Sequence, residues 1–264
     1  MASFSAKDVQ ALRQATGAGM MDAKRALEEN EGDADKASQW LREKGLASSA
    51  KRADRESTQG AVAVDTVDNA AAIVELRCET DFVAKSTDFV ELVEDLARLV
   101  AAKGEEAVAE RQDDLDKLKL TLKENISVGR VVRFVAGPDS VVESYLHVQN
   151  GRGVNAVLVE VKGSTSEVAH DVAVHVAFSR PAYLSRDEVP AADVESERAT
   201  LEAISRNEGK PEAALPKIIE GRLNGWFKER VLLEQDFVRD EKRTIAQLVA
   251  PGSVSRFSQV VVGQ

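Results

Sequence analysis

Short amphipathic patterns in the first 45 residues predict three helices. Ser5 and Asp8 form an S-x-x-D capping signal for the first helix. Asp22 is the predicted cap of the second helix and Asp33 that of the third, which Gly45 is expected to end. Apolar residues recur at helical spacing in each segment, so we expect a small three-helix bundle.

A second pattern occurs twice along the rest of the chain. Residues 60–78 alternate as two β-type runs around an Asp68-Asn69 turn, and a helical pattern follows at about 89–103. From residue 140, SVVESYLHV and NAVLVEVKG form a second hairpin, and VAHDVAVHVAF forms a second helix. Because AAIVEL aligns with NAVLVEV, we interpret this as a duplicated strand–strand–helix unit of the α+β class with antiparallel sheets.

The two copies differ in the segment that joins the second strand to the helix. This segment is STSE (164–167) in the second copy and ETDFVAKSTD (79–88) in the first. Since four residues suffice in one copy, the fold does not require the longer segment in the other. An extension with an apolar centre on a surface loop is a candidate contact point.

These patterns predict four regions. They are an N-terminal three-helix domain (1–46), a linker (47–59), a first core subdomain with the TDFVAK loop (60–139), and a second core subdomain (140–264). A protruding helical hairpin is expected within the last region, at about 187–230. Further elements are expected as a helix at 113–124, a strand in VGRVVRFVAG, a short helix in TIAQLV and a last strand in SRFSQVVVG.

Composition and charge narrow the function. Apolar residues make up 43% of the chain and charged residues 30%, which is typical of a globular protein. The net charge of −10 disfavours direct nucleic-acid binding, and the basic segment 44–55 is interpreted as a solvated linker. No apolar run approaches the roughly 20 residues that span a bilayer, and MASFSAKDVQ does not resemble a signal peptide. We therefore expect a cytoplasmic protein without a membrane partner.

Catalytic and metal-binding patterns are not evident in the sequence. The single cysteine, Cys78, excludes an internal disulfide, and it is interpreted as a small buried side chain in preference to a nucleophile. His170 and His175 are five residues apart, which is not the spacing of a helical zinc site. We expect no cofactor and no metal. A hydrolase that uses Cys78 or a carboxylate pair stays open as an alternative, as does a non-catalytic protein-binding adaptor.

Two groups of apolar residues have both a structural and a functional interpretation. Met20 and Met21 either fill the bundle core in part or offer an adaptable binding surface, with Arg13 and Lys24 nearby. Phe82 either folds back onto its own sheet or serves as an aromatic anchor for a partner. The residues alone leave both questions open.

Long stretches of the chain resemble the bacterial elongation factor Ts family. LRQATGAGMMDAKRALEENEGDADKASQWLREKG and CETDFVAK resemble its two signatures, and KENISVGR, SYLH, GKPEAALPKIIEGRLNGWFKE and LLEQDFV follow in the family's order. The resemblance extends from about Ser5 to Val262. The sequence does not contain the extra C-terminal helical module of some members, so contacts made by that module are not expected.

The resemblance implies a guanine nucleotide exchange factor, not an enzyme, that binds elongation factor Tu in its GDP-bound and nucleotide-free states. It implies an N-terminal bundle similar to ubiquitin-associated domains and a loop that inserts Asp81 and Phe82 near the partner's magnesium and phosphate site. Self-association through the helical hairpin is left open. The partner-binding residues implied by the matching motifs are Arg13, Met20, Met21, Lys24, Thr80, Asp81, Phe82, Val83, His147, Phe237 and Val238.

Overall fold

The N-terminal region folds into three helices. The computed structural model describes residues 4–50, 52 and 54–264, with the backbone alone for 46–50. The helices are α1 (Ala6–Thr16), α2 (Met20–Glu29) and α3 (Ala34–Ala50). The capping box of Ser5 and Asp8 is present at α1, and Asp33 accepts hydrogen bonds from the first turn of α3. Their shared core consists of Val9, Leu12, Ala23, Ala26, Leu27 and Ala37.

Two details of this region differ from the sequence-based expectation. Asp22 does not cap α2, because the helix begins at Met20 and its N-cap is Gly19. Gly45 does not end α3, which continues to Ala50. A Cβ at Gly45 would lie 1.8 Å from a methyl carbon of Leu120, so the glycine allows the Leu120 side chain to pack closely against α3.

Part of the predicted domain division cannot be compared with the structure. Residues 1–3 of the predicted N-terminal domain, and residues 51 and 53 of the predicted linker, lie outside the described residues. The boundaries between the four predicted regions and the likeness of the bundle to ubiquitin-associated domains stay predictions.

The first repeat is a three-stranded antiparallel sheet covered by a helix. Two strands form a hairpin around Asp68, whose φ is +53° as a tight hairpin turn requires. The third strand pairs with the second, in the order β1-β2-β3. In chain order the elements are β1 (Gln59–Val67), β2 (Ala70–Cys78), α4 (Asp81–Ala84), α5 (Thr87–Lys103), a 3₁₀ helix (Glu105–Arg111), α6 (Gln112–Leu122) and β3 (Ser127–Val135).

The second repeat has the same connectivity. A hairpin of two strands is followed by a helix, and the third strand, from the C-terminus, pairs with the second in the order β4-β5-β8. These elements are β4 (Ser140–Gln149), β5 (Arg152–Lys162), α7 (Ser166–Ser179) and β8 (Ser253–Val261). The common topology supports the interpretation of a duplicated unit.

The two sheets pack face to face and form the centre of a four-layer core. Alternate residues of each middle strand point to opposite sides, as strand geometry dictates. One side of each sheet packs against its own helix, α5 or α7. The other sides meet in a shared cluster of Val62, Ala71, Ile73, Phe134, Ala156, Leu158 and Val260. The layers are therefore helix, sheet, sheet and helix, which confirms the α+β class.

A helical hairpin and a short C-terminal group of elements complete the fold. The hairpin consists of α8 (Ala191–Asn207) and α9 (Leu215–Arg230), with Pro216 in the first turn of α9 as proline tolerates. The small strands β6 (Asp236–Phe237) and β7 (Asp240–Thr244), which the sequence did not predict, lead to α10 (Ile245–Val249). Across residues 4–50, 52 and 54–264, no helix is long and apolar enough to cross a membrane.

Candidate functional site

The segment that distinguishes the first repeat from the second is a one-turn helix. It is not the open loop that the sequence predicted, because residues 81–84 form α4 and α5 already begins at Thr87. Thr80 is the N-cap of α4, and its hydroxyl accepts a hydrogen bond from the Val83 amide at 3.3 Å. The connection from β2 to α5 occupies residues 79–86, against 163–165 in the second repeat, so the first copy is still the longer one.

The Phe82 ring points away from the protein. Its side chain is 82% exposed, whereas Val83 packs against the core of the first repeat and Ala84 is buried in it. The alternative in which Phe82 folds back onto its own sheet is therefore wrong. A short helix anchored by its third and fourth residues presents an aromatic ring at its second, as a binding anchor would require.

Asp81 is held by an ion pair within the same turn. The Lys85 ammonium lies 2.5 Å from the Asp81 carboxylate, and Lys85 lies 5.6 Å from the centroid of the Phe82 ring. The hydrogen bond from Lys85 lowers the pKa of Asp81, so this carboxylate is ionised at neutral pH. The turn thus offers a negative charge directly beside an exposed ring.

The N-terminal bundle presents a second exposed apolar pair. Met20 is 48% exposed and Met21 72% exposed at the start of α2, so neither methionine is a core residue. Arg13, in the last turn of α1, is also exposed, and Lys24 makes a half-exposed ion pair with Glu28 at 3.5 Å. This combination of flexible apolar and cationic side chains suits an adaptable protein-binding surface.

The predicted contacts in the second repeat lie in two different environments. His147 is exposed in β4, directly before a bulge in the β4–β5 pairing. Phe237 is only 3% exposed, because its ring lies in the second core, 6.2 Å from the ring of His175. The Phe237 side chain is therefore a core group, and the contact of its region with a partner stays a prediction. Val238 is partly buried against the same core.

His175 and Cys78 are structural residues. The Val238 amide donates to Nδ1 of His175 at 3.4 Å, so the Nε2 hydrogen is the one that Gln235 Oε1 accepts at 2.9 Å. Burial lowers the pKa of His175 and keeps the ring neutral. Burial also raises the pKa of the Cys78 thiol to about 12, so Cys78 is not a thiolate nucleophile at neutral pH.

The described histidine, cysteine and acidic side chains do not gather into a metal site. Within the described part of the chain, no group of three or more His, Cys, Asp or Glu side chains could hold a metal ion. His170 and His175 do not converge, since His170 is exposed beside Tyr145 with ring centroids 6.3 Å apart. The exposed Phe82 ring and the exposed Met20 and Met21 side chains are suited to binding a macromolecule.

One cation near the Phe82 turn, that of Arg152, was not predicted from the sequence. Arg152, at the start of β5, donates hydrogen bonds to the Gly60 carbonyl at 2.6 Å and to Gln59 Oε1 at 3.2 Å. Its charge contributes, after that of Lys85, to the lowered pKa of Asp81. The NGRG turn marked its place in the chain but not its contact with the first repeat.

The sequence is similar to those of known proteins. The sequence model of a family described as Elongation factor TS matches residues 79–264, which begin directly before the Phe82 turn. The curated protein named elongation factor Ts from Clavibacter michiganensis is 46% identical over 278 residues, which cover 100% of both chains. The chain belongs to the elongation factor Ts family.

Other members of the elongation factor Ts family give the same result. The protein of that name from Kineococcus radiotolerans is 46% identical over 266 residues and covers 96% of each chain. The one from Mycobacterium tuberculosis is 45% identical over 281 residues and covers 100% of each chain. The similarity therefore includes the N-terminal bundle as well as both repeats, and it places the chain among the elongation factors of protein biosynthesis.

Proposed function

We propose that this member of the elongation factor Ts family is a guanine nucleotide exchange factor for elongation factor Tu. The observation that carries the proposal is the Phe82 ring, which is 82% exposed on a turn whose next two residues are anchored in the core. A large exposed aromatic ring on a well-held support is suited to serve as an anchor in an interface.

Exchange by this protein needs binding energy alone. A factor that binds the nucleotide-free partner more tightly than the GDP-bound partner weakens GDP binding by the same factor, since the coupling between two ligands is reciprocal. In our proposal the Phe82 turn enters the GTPase domain of elongation factor Tu, and Asp81 disturbs the site that holds magnesium and phosphate. The exposed, ionised carboxylate of Asp81 is suited to compete for the partner's cationic and hydrogen-bonding groups.

The remaining predicted contacts are assigned to binding. Met20 and Met21, with Arg13 and Lys24, form a docking surface on the N-terminal bundle for the same GTPase domain. His147 and the backbone region of Val238 contact another domain of the partner. Separate docking elements raise the affinity without adding to the exchange step, because they favour both nucleotide states alike. We place the protein in the cytoplasm, without direct contact with nucleic acid or membrane.

The helical hairpin of α8 and α9 is peripheral in this proposal. Its apolar residues pack mainly with each other and with Val189 and Val231 at its base. It lies outside both repeats, and the Phe82 turn lies in the first one. The hairpin then serves a second contact or self-association, and exchange does not depend on its distal part.

A direct test measures GDP release from elongation factor Tu loaded with a fluorescent GDP analogue. Catalytic amounts of this protein should accelerate release in the presence of excess unlabelled GDP, and the rate should saturate with factor concentration. Binding to elongation factor Tu without any acceleration would overturn the proposal in favour of a protein-binding adaptor. Turnover of a small-molecule substrate by this protein alone, without elongation factor Tu, would favour a hydrolase.

A further inference from the structure

The connection between α6 and β3 contacts both proposed docking elements. It consists of residues 123–126, and the first three of these, Lys123, Glu124 and Asn125, open the KENISVGR motif. Lys123 ends α6 in the left-handed conformation, with φ of +59°, and the next residues turn towards the first sheet. The side chains of Lys123, Glu124 and Asn125 point to three different parts of the protein.

Glu124 binds the N-terminal end of the Phe82 turn. One carboxylate oxygen accepts hydrogen bonds from the backbone amides of Glu79 and Thr80, at 2.9 and 3.0 Å. The other accepts the Thr80 hydroxyl hydrogen at 2.6 Å. All three bonds have an ionised acceptor and are stronger than bonds between neutral groups.

The Thr80 hydroxyl connects Glu124 with α4 through two hydrogen bonds. It donates to Glu124 and at the same time accepts the Val83 amide at 3.3 Å, so its direction is fixed by both partners. The first turn of a helix has amides without partners inside the helix, and capping these is what makes a four-residue helix stable. Glu124 therefore sets the orientation of the turn that carries Phe82.

A reciprocal bond closes the contact from the other side. The Asn125 amide donates to Glu79 Oε1 at 2.7 Å, while the Glu79 amide donates to Glu124. The side chain of Asn125 donates to the Arg55 carbonyl at 2.7 Å. The backbone carbonyl of Asn125 accepts a hydrogen bond from the Ser57 hydroxyl at 3.0 Å. The same connection thus also holds the segment that leads from the bundle into β1.

Lys123 reaches the bundle itself. Its ammonium lies 3.4 Å from a carboxylate oxygen of Asp22, which is on α2 together with Met20 and Met21. Both side chains are more than half exposed, so this ion pair is weak and sensitive to salt. Of the two contacts, that of Glu124 is the stronger.

We propose that Glu124 is a positioning residue for nucleotide exchange, which holds the Phe82 turn in the orientation that enters the partner. This inference rests on the proposed function. It also goes beyond it, since Glu124 is not one of the predicted partner-binding residues and acts through Thr80. Without Glu124 the turn samples other orientations, and only a fraction of the molecules is competent for exchange.

The test compares three variants with the wild type. Glu124→Ala removes all three bonds, whereas Thr80→Val removes the hydroxyl bond to Glu124 together with the cap on the Val83 amide and keeps the two amide bonds to Glu124. Glu124→Gln keeps an oxygen for the two amides and an NH₂ group that can donate to the Thr80 hydroxyl oxygen. At saturating factor, GDP release should slow about tenfold with Glu124→Ala, because the turn then has the competent orientation in only about a tenth of the molecules. Release should slow less with Thr80→Val, which keeps two of the three bonds to Glu124, and least with Glu124→Gln.

Glu105→Ala is the matched control. Glu105 also accepts a backbone amide, that of Arg133 at 3.0 Å, but at the other end of the first repeat. Its loss removes a hydrogen bond between a carboxylate and the backbone in the same repeat and should not slow GDP release. If Glu105→Ala and Glu124→Ala slowed release equally, Glu124 would be a general structural residue and the proposal would be overturned.

Two further measurements separate a positioning role from a general loss of stability. In the Phe82→Ala background, Glu124→Ala should have a much smaller effect on GDP release than in the wild type, because of the two groups that it positions only Asp81 is left. In the free protein, hydrogen exchange at the amides of Thr80 and Val83 should be about tenfold faster with Glu124→Ala and unchanged with Glu105→Ala. Additive effects of the two substitutions, or unchanged hydrogen exchange, would contradict the proposal.

Failure of this inference differs from failure of the proposed function. If the wild type does not accelerate GDP release, the exchange activity itself is refuted. If the wild type does so and Glu124→Ala does so equally well, only the role of Glu124 is refuted.

Discussion

Lys85 and Asp81 lie one helical turn apart, with the ammonium nitrogen 2.5 Å from a carboxylate oxygen. The same ammonium is 5.6 Å from the centroid of the Phe82 ring. One lysine therefore contacts both residues that we assign to the exchange step, and it does so without covering the ring, which stays 82% exposed.

The first prediction concerns this ion pair. Lys85→Ala removes the largest cause of the lowered pKa of Asp81, so this pKa should rise towards its ordinary value. A carbon NMR titration of the side-chain carboxyl group measures it. Lys24→Ala, which breaks the ion pair with Glu28 on the bundle, is the control and should leave the titration of Asp81 unchanged. An unchanged Asp81 titration in Lys85→Ala would show that the pair is not formed in solution.

The second prediction is a dependence of stability on pH through His175. Burial holds the folded-state pKa of this ring below its ordinary value of 6.5. Above that pH the ring is neutral in both states; below it the unfolded chain binds a proton that the folded protein does not, so stability falls as pH decreases. His175→Gln should be less stable at pH 7.5 and should lose less on going to pH 5.5. Urea unfolding at both pH values tests this, and equal losses in the two proteins would contradict it.

Much of the core could be predicted because its signals are local. Short β-type runs of apolar residues predicted both hairpins, and turn residues such as Asp68 marked their ends. The small strands β6 and β7 escaped prediction because they are two and five residues long and carry mostly charged side chains. A pattern this short has no detectable period.

The misassigned positions depend on contacts between residues distant in sequence. Gly45 looked like a helix end, but its missing side chain makes room for Leu120. The resemblance places Phe237 in a partner contact, and its side chain packs beside His175, which no local pattern indicated. Glu124 lies in the KENISVGR stretch, but its hydrogen bonds to the backbone of residues 79 and 80 could not be predicted from that stretch. Local sequence patterns do not contain such information.

The third prediction tests the N-terminal docking surface. Replacing Met20 and Met21 together by Ala removes two exposed side chains, so the melting temperature should change little. Affinity for elongation factor Tu should fall by about 1–3 kcal/mol, the range of interface hot spots, in a titration calorimetry experiment. Ile204→Ala, an exposed apolar residue on the helical hairpin, is the control and should bind normally. Unchanged affinity of the double variant would refute the docking role.

The fourth prediction concerns the helical hairpin. Replacing residues 202–219 by a short Gly/Ser bridge keeps Leu223 and Phe227, which cover Val189 and Val231 at the base. The shortened protein should therefore stay folded and should still accelerate GDP release. Circular dichroism and the fluorescent GDP assay check both points. Complete loss of exchange in a well-folded shortened protein would show that the hairpin takes part in the reaction.

The last prediction separates exchange from binding through Phe82. Phe82→Ala removes a ring that contacts little of its own protein, so stability should change by no more than about 0.5 kcal/mol. Interaction with nucleotide-free elongation factor Tu should weaken by roughly 2–4 kcal/mol, which corresponds to about 30- to 1000-fold in affinity for that state. Because the GDP-bound state is affected less, the maximal rate of GDP release at saturating factor should fall as well. Phe178→Ala is the matched control, since Phe178 is 77% exposed at the end of α7 in the second repeat. It should leave the maximal rate unchanged even if the half-saturating concentration shifts. A Phe82→Ala protein that melts several degrees lower yet releases GDP at the normal rate would mean that the ring is structural, and the exchange role of the turn would be wrong.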